Sequence, residues 1–213
     1  MRGHWSRLAP LTGLVFAGLF LAAIVGTASS PNSDASAQRV ISFFEANRTN
    51  QLGFVFLIGY SVIFGLIFGA ALRSYLRARS SSDLLPSLGF AGMIVFGVFA
   101  AFAGVLTFAA VDVPTKIQPA AEQALNVLGN DIFPALFIGM SVFLFANGLA
   151  IARTRVLPRW VGWIGIVLGI LSVVPAPTLN VAFFGVLAWV AVVSVLMFIS
   201  EGRPSPAPAA TPA

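Results

Sequence analysis

RTRVLPRWVGWIGIVLGI, at residues 153–170, decides the fold of this chain because it joins a basic and aromatic head to a long apolar run. The head contains Arg153, Arg155, Arg159, Trp160 and Trp163. Arginine is concentrated in short loops on the cytoplasmic side of membranes, and tryptophan is enriched at the membrane–water interface. The stretch therefore predicts the point at which a transmembrane helix enters the membrane from the cytoplasm.

The composition of the whole chain also predicts a membrane protein. Of the 213 residues, 58% are hydrophobic and 9% are charged, and the mean hydropathy is +0.95. A soluble domain carries about 25% charged residues, so this chain has too few polar side chains to cover a globule in water. The net charge of +5 is spread over short loops and gives no single basic surface, which argues against nucleic acid as a partner.

Six apolar runs predict transmembrane helices, since about 20 apolar residues span a bilayer core. They lie at about 9–28, 52–72, 86–111, 132–152, 159–174 and 177–199. The runs are too long and too uniformly apolar for barrel strands, and helices satisfy their own backbone amides in lipid. The predicted fold class is an all-α, polytopic transmembrane bundle, one domain over residues 1–200 with a disordered Pro/Ala-rich tail at 201–213.

The distribution of arginine predicts how the bundle is oriented. Arginine lies before the first span, between the second and third, between the fourth and fifth, and in the tail. These residues are Arg2, Arg7, Arg73, Arg77, Arg79, Arg153, Arg155, Arg159 and Arg203. Short arginine-rich loops stay in the cytoplasm, so both termini are predicted to be cytoplasmic.

The first span has a second interpretation. A basic start, an apolar run and the Ala-x-Ala of Ala35 and Ala37 also occur in secretory signal peptides. The apolar run is about 20 residues long, however, whereas a signal-peptide core has 7–15. We therefore expect the first helix to be retained; its cleavage would leave five spans and an external N-terminus.

Two loops on the opposite side to the arginines predict short amphipathic helices. In SAQRVISFFEANRTNQ, residues 36–51, Val40, Ile41, Phe43 and Phe44 fall at helical spacing. QPAAEQALNVLGND, residues 118–131, has a weaker pattern of the same kind, in which Ala121, Leu125 and Leu128 are aligned. Its Asn130 or Asp131 is a candidate N-cap for the fourth span. These helices either anchor the following span at the membrane surface or form a lid over an outward cavity.

Two further patterns concern how the helices pack. FLIGYSVIFG at 56–65 and LFIGMSVFLF at 136–145 share I-G-x-S-V at an offset of 80 residues, which suggests a parallel repeat of a two-helix hairpin. Small residues also recur at every fourth position, and such ridges let helix backbones approach closely in lipid. The ridges are Gly18, Ala22 and Gly26; Ser61, Gly65 and Gly69; Gly97 and Ala101; and Gly165 and Gly169.

Residues with catalytic or ligand-binding chemistry are scarce. The chain has no cysteine and one histidine, His4, and no carboxylate lies within a span. Asp112, Glu122 and Asp131 lie in loops on the side opposite to the arginines, and the preferred interpretation is that they are solvated charges or helix caps, not a metal or catalytic set. Haem ligation, zinc sites, serine–histidine nucleophiles and proton relays all lack their usual side chains. No catalytic, cofactor-binding or metal-binding residue is predicted, and no cofactor is expected.

The polar side chains inside the spans are the remaining site candidates. Asn147, Ser141, Ser61 and Tyr60 are predicted to line a cavity or to make interhelical contacts. A side-chain amide such as that of Asn147 is costly in hydrocarbon unless it has a partner. Interhelical hydrogen bonding is the preferred interpretation for Asn147.

The cytoplasmic arginines also have two interpretations. Arg73, Arg77, Arg153, Arg155 and Arg159 would crowd one leaflet surface and could contact anionic lipid headgroups. Alternatively, they only orient the protein through the positive-inside rule. Orientation alone is the preferred interpretation.

Several segments together resemble a group of small six-helix integral membrane proteins of unknown function from GC-rich bacteria. They are ISFFEANRTNQLG, the turn from Arg73 to Arg79, ALNVLGNDIFPALFIG and RTRVLPRWVGWIGIVLG. The resemblance covers about residues 38–200 and implies a multi-pass protein of the bacterial inner membrane. It implies no catalytic residues.

Three functions are compatible with the sequence. The preferred one is a non-enzymatic accessory or regulatory membrane protein that binds a partner, which would be lipid, another membrane protein or a second copy of itself. A transporter of small molecules or lipids is the alternative, favoured by the hairpin repeat and disfavoured by the absence of buried charge. An intramembrane enzyme is a further alternative, disfavoured by the scarcity of histidine and cysteine.

Overall fold

The structure is a computed structural model that describes residues 8–80, 82–112, 117–174 and 178–201. Within these residues the chain forms helices and no strands. The helices are α1 (Thr12–Val25, after a 3-10 turn at Ala9–Leu11), α2 (Ala37–Ala46), α3 (Arg48–Arg77), α4 (Leu84–Asp112), α5 (Pro119–Asp131), α6 (Phe133–Thr154), α7 (Arg159–Leu171) and α8 (Thr178–Glu201). The helical prediction is confirmed; the predicted tail at 201–213 lies, beyond Glu201, outside the described residues.

Four helical runs among the described residues are long and apolar enough to cross a membrane. They are Arg48–Arg77, Leu84–Asp112, Pro119–Thr154 and Phe183–Ser200. The third of these joins α5 to α6 at Ile132. The apolar helices Ala9–Val25 and Arg159–Leu171 are shorter; with 13 residues, α7 is about 20 Å long, against a bilayer core of about 30 Å. Four of the six predicted spans therefore have the dimensions of a membrane crossing.

The long helices and the two shorter apolar ones pack in the order of the chain and close into a ring. Each of α1, α3, α4, α6, α7 and α8 packs mainly against the helices before and after it in this series, and α8 returns to α1. The Nε1 of Trp189 in α8 donates to the carbonyl of Val161 in α7 at 2.8 Å. Where α8 packs beside the first apolar segment, the Ser194 hydroxyl donates to the carbonyl of Pro10.

Both limits of the described chain lie at the end of the bundle that carries the arginines of the α3–α4 and α6–α7 turns, called here the arginine end. The Tyr75 and Ser200 hydroxyls are 2.7 Å apart, which places the end of α8 beside the end of α3. The contact of Ser194 with Pro10 places the start of the first apolar segment near the end of α8. The opposite end, which carries α2 and α5, is called the capped end.

Two pairs of glycines bring helix backbones into direct contact. A Cβ on Gly92 of α4 would collide with the backbone of α6 at Phe143, and one on Gly139 of α6 would collide with α4 in return. Between α6 and α7, a Cβ on either Gly148 or Gly162 would lie 2.7 Å from the other's carbonyl oxygen. Glycine is required at these crossings because no side chain fits between the backbones.

The predicted small-residue ridges coincide only in part with these crossings. A Cβ on Gly65 or Gly69 would meet Phe16 or Met93 side chains from a neighbouring helix, as the predicted ridge requires. Gly18 has nothing within 4 Å of such a Cβ, and Ala101 is exposed. The prediction of helix packing is wrong for these two residues and for Ala22 and Gly26 of the first ridge, which are also exposed. The reason is that α1 and α4 are apolar on all sides, so sequence spacing does not identify the packed face.

The two short amphipathic helices cover the capped end of the bundle. The side chains of Val40 and Phe44 in α2 are buried against Ala110 and Val111 at the end of α4. The Ser36 hydroxyl caps α2 by accepting from the backbone N–H of Arg39 at 3.4 Å. Both helices therefore pack on the bundle itself.

The prediction that Asn130 or Asp131 caps the fourth span is wrong. The residue preceding α6 is Ile132, which makes no side-chain capping bond. Asn130 instead donates its side-chain amide to the carbonyl of Pro31 at 2.8 Å. The reason is that α5 runs on to Asp131, so Asn130 lies within a helix and its side chain binds the segment between α1 and α2.

Candidate ligand-binding site

A cavity of about 360 Å³ opens at the capped end of the bundle. Its walls come from α1, α2, α3, α4, α5, α6 and α8 and from the segment between α1 and α2. Sites for small molecules and cofactors typically occupy about 300–1,000 Å³. The cavity is therefore large enough for a small ligand or part of a lipid.

The floor of the cavity is apolar. Phe20, Ile58, Leu136 and Phe183 line it, and the ring centroids of Phe20 and Phe183 are 5.5 Å apart. On its other side, Phe20 borders a separate space of only about 10 Å³ in the core of the bundle. The cavity thus ends in the interior of the bundle.

Aromatic side chains close the bundle axis below the floor. The Phe20 ring lies 5.5 Å from Phe96 and 5.7 Å from Phe16, and Phe16 meets Phe96 edge-on at 6.0 Å. Phe16 is 2% exposed. These three rings, called here the aromatic plug, separate the cavity from the arginine end.

The rim of the cavity is polar. Gln51 Nε2 donates to the carbonyl of Ala28 at 2.8 Å, and Asn126 Nδ2 donates to that of Pro31 at 3.1 Å. The Thr107 hydroxyl donates to the carbonyl of Ala103 at 3.0 Å. The rim is therefore built by polar side chains that hold the 28–32 segment against α3 and α5.

The described residues that line this cavity include no charged side chain. None is Asp, Glu, Lys, Arg or His. The described part of the chain also contains no group of three or more His, Cys, Asp or Glu residues placed to hold a metal ion. The cavity can therefore take up apolar groups at its floor and hydrogen-bonding groups at its rim.

The four polar candidates from the sequence do not converge on one site, and none lines the cavity. Tyr60 is 56% exposed on the outside of the bundle. The buried Ser61 hydroxyl donates to Ile58 of its own helix at 2.8 Å. Ser141 makes an interhelical bond, donating from α6 to the Gly169 carbonyl of α7 at 2.7 Å.

Asn147 does not make the interhelical bond that the sequence suggested. It is 2% exposed, and its Nδ2 donates to Phe143 in its own helix at 2.8 Å. Its Oδ1 has no hydrogen-bond partner among the described residues. The reason is that the amide reaches the carbonyl four residues back and lies against Gly89, which has no side chain to bind it.

The arginines of the α3–α4 turn are engaged within the protein. Arg73 and Arg77 lie 3.2 Å and 3.6 Å from Asp83, an acid that the sequence analysis did not single out. Partial burial opposes ionisation of Asp83, but the Ser87 hydrogen bond and the two arginines prevail and lower its pKa. Arg79 lies over the ring of Tyr75 at 4.0 Å.

The arginines of the α6–α7 turn are arranged differently. Arg153, Arg155 and Arg159 are exposed and form no ion pair within the described chain. Arg155 ends α6 in the left-handed region with φ 54°. Trp160 and Trp163, which follow, are 54% and 60% exposed, as expected for residues at a membrane boundary.

Glu122 of α5 is a buried acid that sequence reasoning treated as a solvated loop charge. It is 0% exposed, and neither carboxyl oxygen has a hydrogen-bond partner in the described structure. Burial raises the pKa of this carboxyl. Glu122 lies in α5, which precedes the apolar helix α6 in the run Pro119–Thr154 and belongs to the capped end of the bundle. The predicted packed face of α5 is wrong, because Ala121 and Leu128 are exposed whereas Glu122 and Asn126 are buried. The reason is that α5 turns the face of Asn126 toward the segment between α1 and α2, where the Asn126 amide binds the Pro31 carbonyl.

Comparison with protein-family models, with curated proteins and with solved structures found no match for this chain.

Proposed function

We propose that the chain is a six-span protein of the bacterial inner membrane that binds a small amphipathic molecule at its external face. The cavity at the capped end carries this proposal, because its apolar floor and polar rim match a molecule with two unlike ends. The role proposed is accessory or regulatory and non-enzymatic. The described lining residues support this role, since they offer no acid, base or thiol nucleophile to act on a bound molecule.

The proposed topology places the arginine end in the cytoplasm and the capped end outside. The positive-inside rule supports this orientation. The contacts of Tyr75 with Ser200 and of Ser194 with Pro10 support an even number of crossings, because both limits of the described chain lie at one end. In this proposal α1 and α7 complete the six spans despite their shorter length.

Purification in a mild detergent followed by mass spectrometry of bound molecules and proteins tests the proposed function. The matched variants are Ala103→Phe, which adds a ring at a cavity-lining position of α4, and Ala101→Phe, which adds the same ring at an exposed position of α4. We expect an amphipathic molecule to accompany the wild type and the Ala101 variant and to be lost from the Ala103 variant. Identical contents in all three proteins would contradict the proposal.

A transporter is the second candidate, and one observation favours it. The cavity lies over the bundle axis, and Phe20 belongs both to its floor and to the aromatic plug. This arrangement is compatible with an outward-open state whose inner gate is closed. Uptake of the co-purified molecule into proteoliposomes would support transport, whereas binding without uptake would favour the accessory role.

A further inference from the structure

We propose that the ligand of the cavity is an uncharged amphiphile whose headgroup donates hydrogen bonds, such as a monoacylglycerol with free hydroxyls. This inference rests on the proposed function and deepens it, because it names the chemical class of the bound molecule. Three properties of the cavity carry it: the absence of charge, the state of the rim donors and the shape of the apolar floor.

The absence of charged side chains among the described lining residues disfavours an ionic headgroup. A buried charge needs an opposite charge or several hydrogen bonds to offset its desolvation. Arg39 and Asp34, which border a separate small pocket beside the 29–32 segment, do not line the cavity. A phosphate or carboxylate in the cavity would therefore lose its hydration without gaining a cation, and an ammonium would gain no anion.

The rim donors are largely engaged by the protein itself. Gln51, Asn126 and Asn130 direct their amide nitrogens to the carbonyls of residues 28–32. The Ser30 hydroxyl donates to Asn130 Oδ1 at 3.1 Å, and the Thr107 hydroxyl donates to its own helix. The oxygen atoms of these side chains can still accept hydrogen bonds from a ligand.

Oxygen atoms at the rim that can accept hydrogen bonds favour a headgroup that donates them. The Gln51 side-chain oxygen has no hydrogen-bond partner among the described residues, and the Thr107 oxygen keeps lone pairs after donating. A hydroxyl or other neutral O–H or N–H group would satisfy them. A headgroup with acceptors only, such as an ether, would leave them unpaired, which is unfavourable in a partly desolvated site.

The floor selects an apolar chain for the other end of the ligand. Phe20, Ile58, Leu136 and Phe183 offer no polar side chain, and the aromatic plug stops a chain from passing farther along the axis. A hydrocarbon chain that enters with its end toward Phe20 leaves the headgroup at the rim. Both ends of the molecule then have matching surroundings.

Photocrosslinking in lipid nanodiscs tests this inference with three matched probes. All three carry the same photoreactive acyl chain, and their headgroups are glycerol, the dimethyl ether of glycerol, and phosphoglycerol. The proteins compared are the wild type, Gly129→Leu and Gly53→Leu. A Cβ at either glycine has nothing within 4 Å, but Gly129 lines the cavity whereas Gly53 is exposed elsewhere. The readout is the labelled fraction and the labelled peptides.

We expect the glycerol probe to label cavity-lining peptides of the wild type and Gly53→Leu, and to label Gly129→Leu about tenfold less, a loss equivalent to about 1.4 kcal/mol of binding. The ether and phosphoglycerol probes should label this site far less than the glycerol probe. Stronger labelling of the cavity by phosphoglycerol or by the ether, sensitive to Gly129→Leu, would overturn the inference and leave the proposed function standing. Labelling that is insensitive to Gly129→Leu with every probe would overturn both.

Discussion

The side-chain amide of Asn147 in α6 lies directly against the backbone of Gly89 in α4, so that a Cβ at position 89 would collide with it. Asn147 is 2% exposed, and this contact places its side-chain amide where α4 and α6 cross, not in the cavity. It also explains why this amide bonds to its own helix, since the facing residue has no side chain to offer.

Gly89→Ala is therefore expected to destabilise the protein by about 1–3 kcal/mol, the usual range for overpacking a tight interior. The control is Gly104→Ala in the same helix, where a Cβ has nothing within 4 Å. Thermal unfolding in detergent measures both variants. Equal stability of the two would mean that the Asn147 amide moves aside without loss.

The Gly148–Gly162 crossing is expected to tolerate substitution less well than a glycine that faces a side chain. A Cβ at Gly162 would meet only backbone atoms of α6 within 3.0 Å, whereas one at Gly69 would meet Met93 and Phe90 side chains at 3.1–3.4 Å. Side chains can rotate, but packed backbones must separate. Gly162→Ala should lower the unfolding temperature more than Gly69→Ala, and the reverse order would show that the α6–α7 contact is looser than described.

Glu122 is expected to make stability depend on pH. Because burial raises the pKa of this carboxyl in the folded state, folding favours the protonated form. The stabilisation is present below the pKa of an unfolded glutamate and is lost as the pH rises through the higher folded pKa. Unfolding should therefore become easier from acidic to neutral pH in the wild type.

Glu122→Gln is the variant that checks this pH dependence, because glutamine keeps the shape of the acid and does not ionise. Its unfolding temperature should vary less with pH than that of the wild type. The control is Glu45→Gln, at an exposed position of α2, which should retain the wild-type profile. A wild-type profile in the Glu122 variant would assign the pH dependence to another group.

Single-cysteine labelling is expected to reveal opposite membrane sides for the two ends of the bundle. The chain has no native cysteine, so Ser33→Cys and Gln118→Cys report on the capped end, and Ser82→Cys and Thr154→Cys report on the arginine end. An impermeant reagent should label the first pair in intact cells and the second pair only after permeabilisation. Labelling of all four in intact cells would contradict the six-span topology.

The exposed arginines of the α6–α7 turn are expected to set orientation without selecting a lipid. Arg153→Lys and Arg159→Lys keep the charge but remove the planar fork that binds phosphate through two hydrogen bonds. Both variants should keep the native labelling pattern and the same co-purified lipids. Loss of one anionic lipid with an intact labelling pattern would instead identify this turn as a headgroup site.

The sequence by itself determined the helices, because their signals are local. Uncharged apolar runs between arginine-rich loops predict helices, because a helix satisfies its own backbone hydrogen bonds in lipid. The observed helices Arg48–Arg77 and Leu84–Asp112 begin and end within five residues of the predicted limits 52–72 and 86–111. The amphipathic pattern of Val40, Ile41, Phe43 and Phe44 likewise marked the buried face of α2, although Phe43 is only partly buried.

Only the tertiary structure decided which faces meet and where a site forms. Helices that are apolar on all sides carry no periodic signal of their packed face, so Gly92 and Gly139 were not distinguishable from Gly18 in the sequence. The cavity depends on residues from seven helices and on a segment held by Gln51, and no local pattern encodes the gap left between them. Local chemistry fixes each helix, whereas the empty space is a property of how the helices pack.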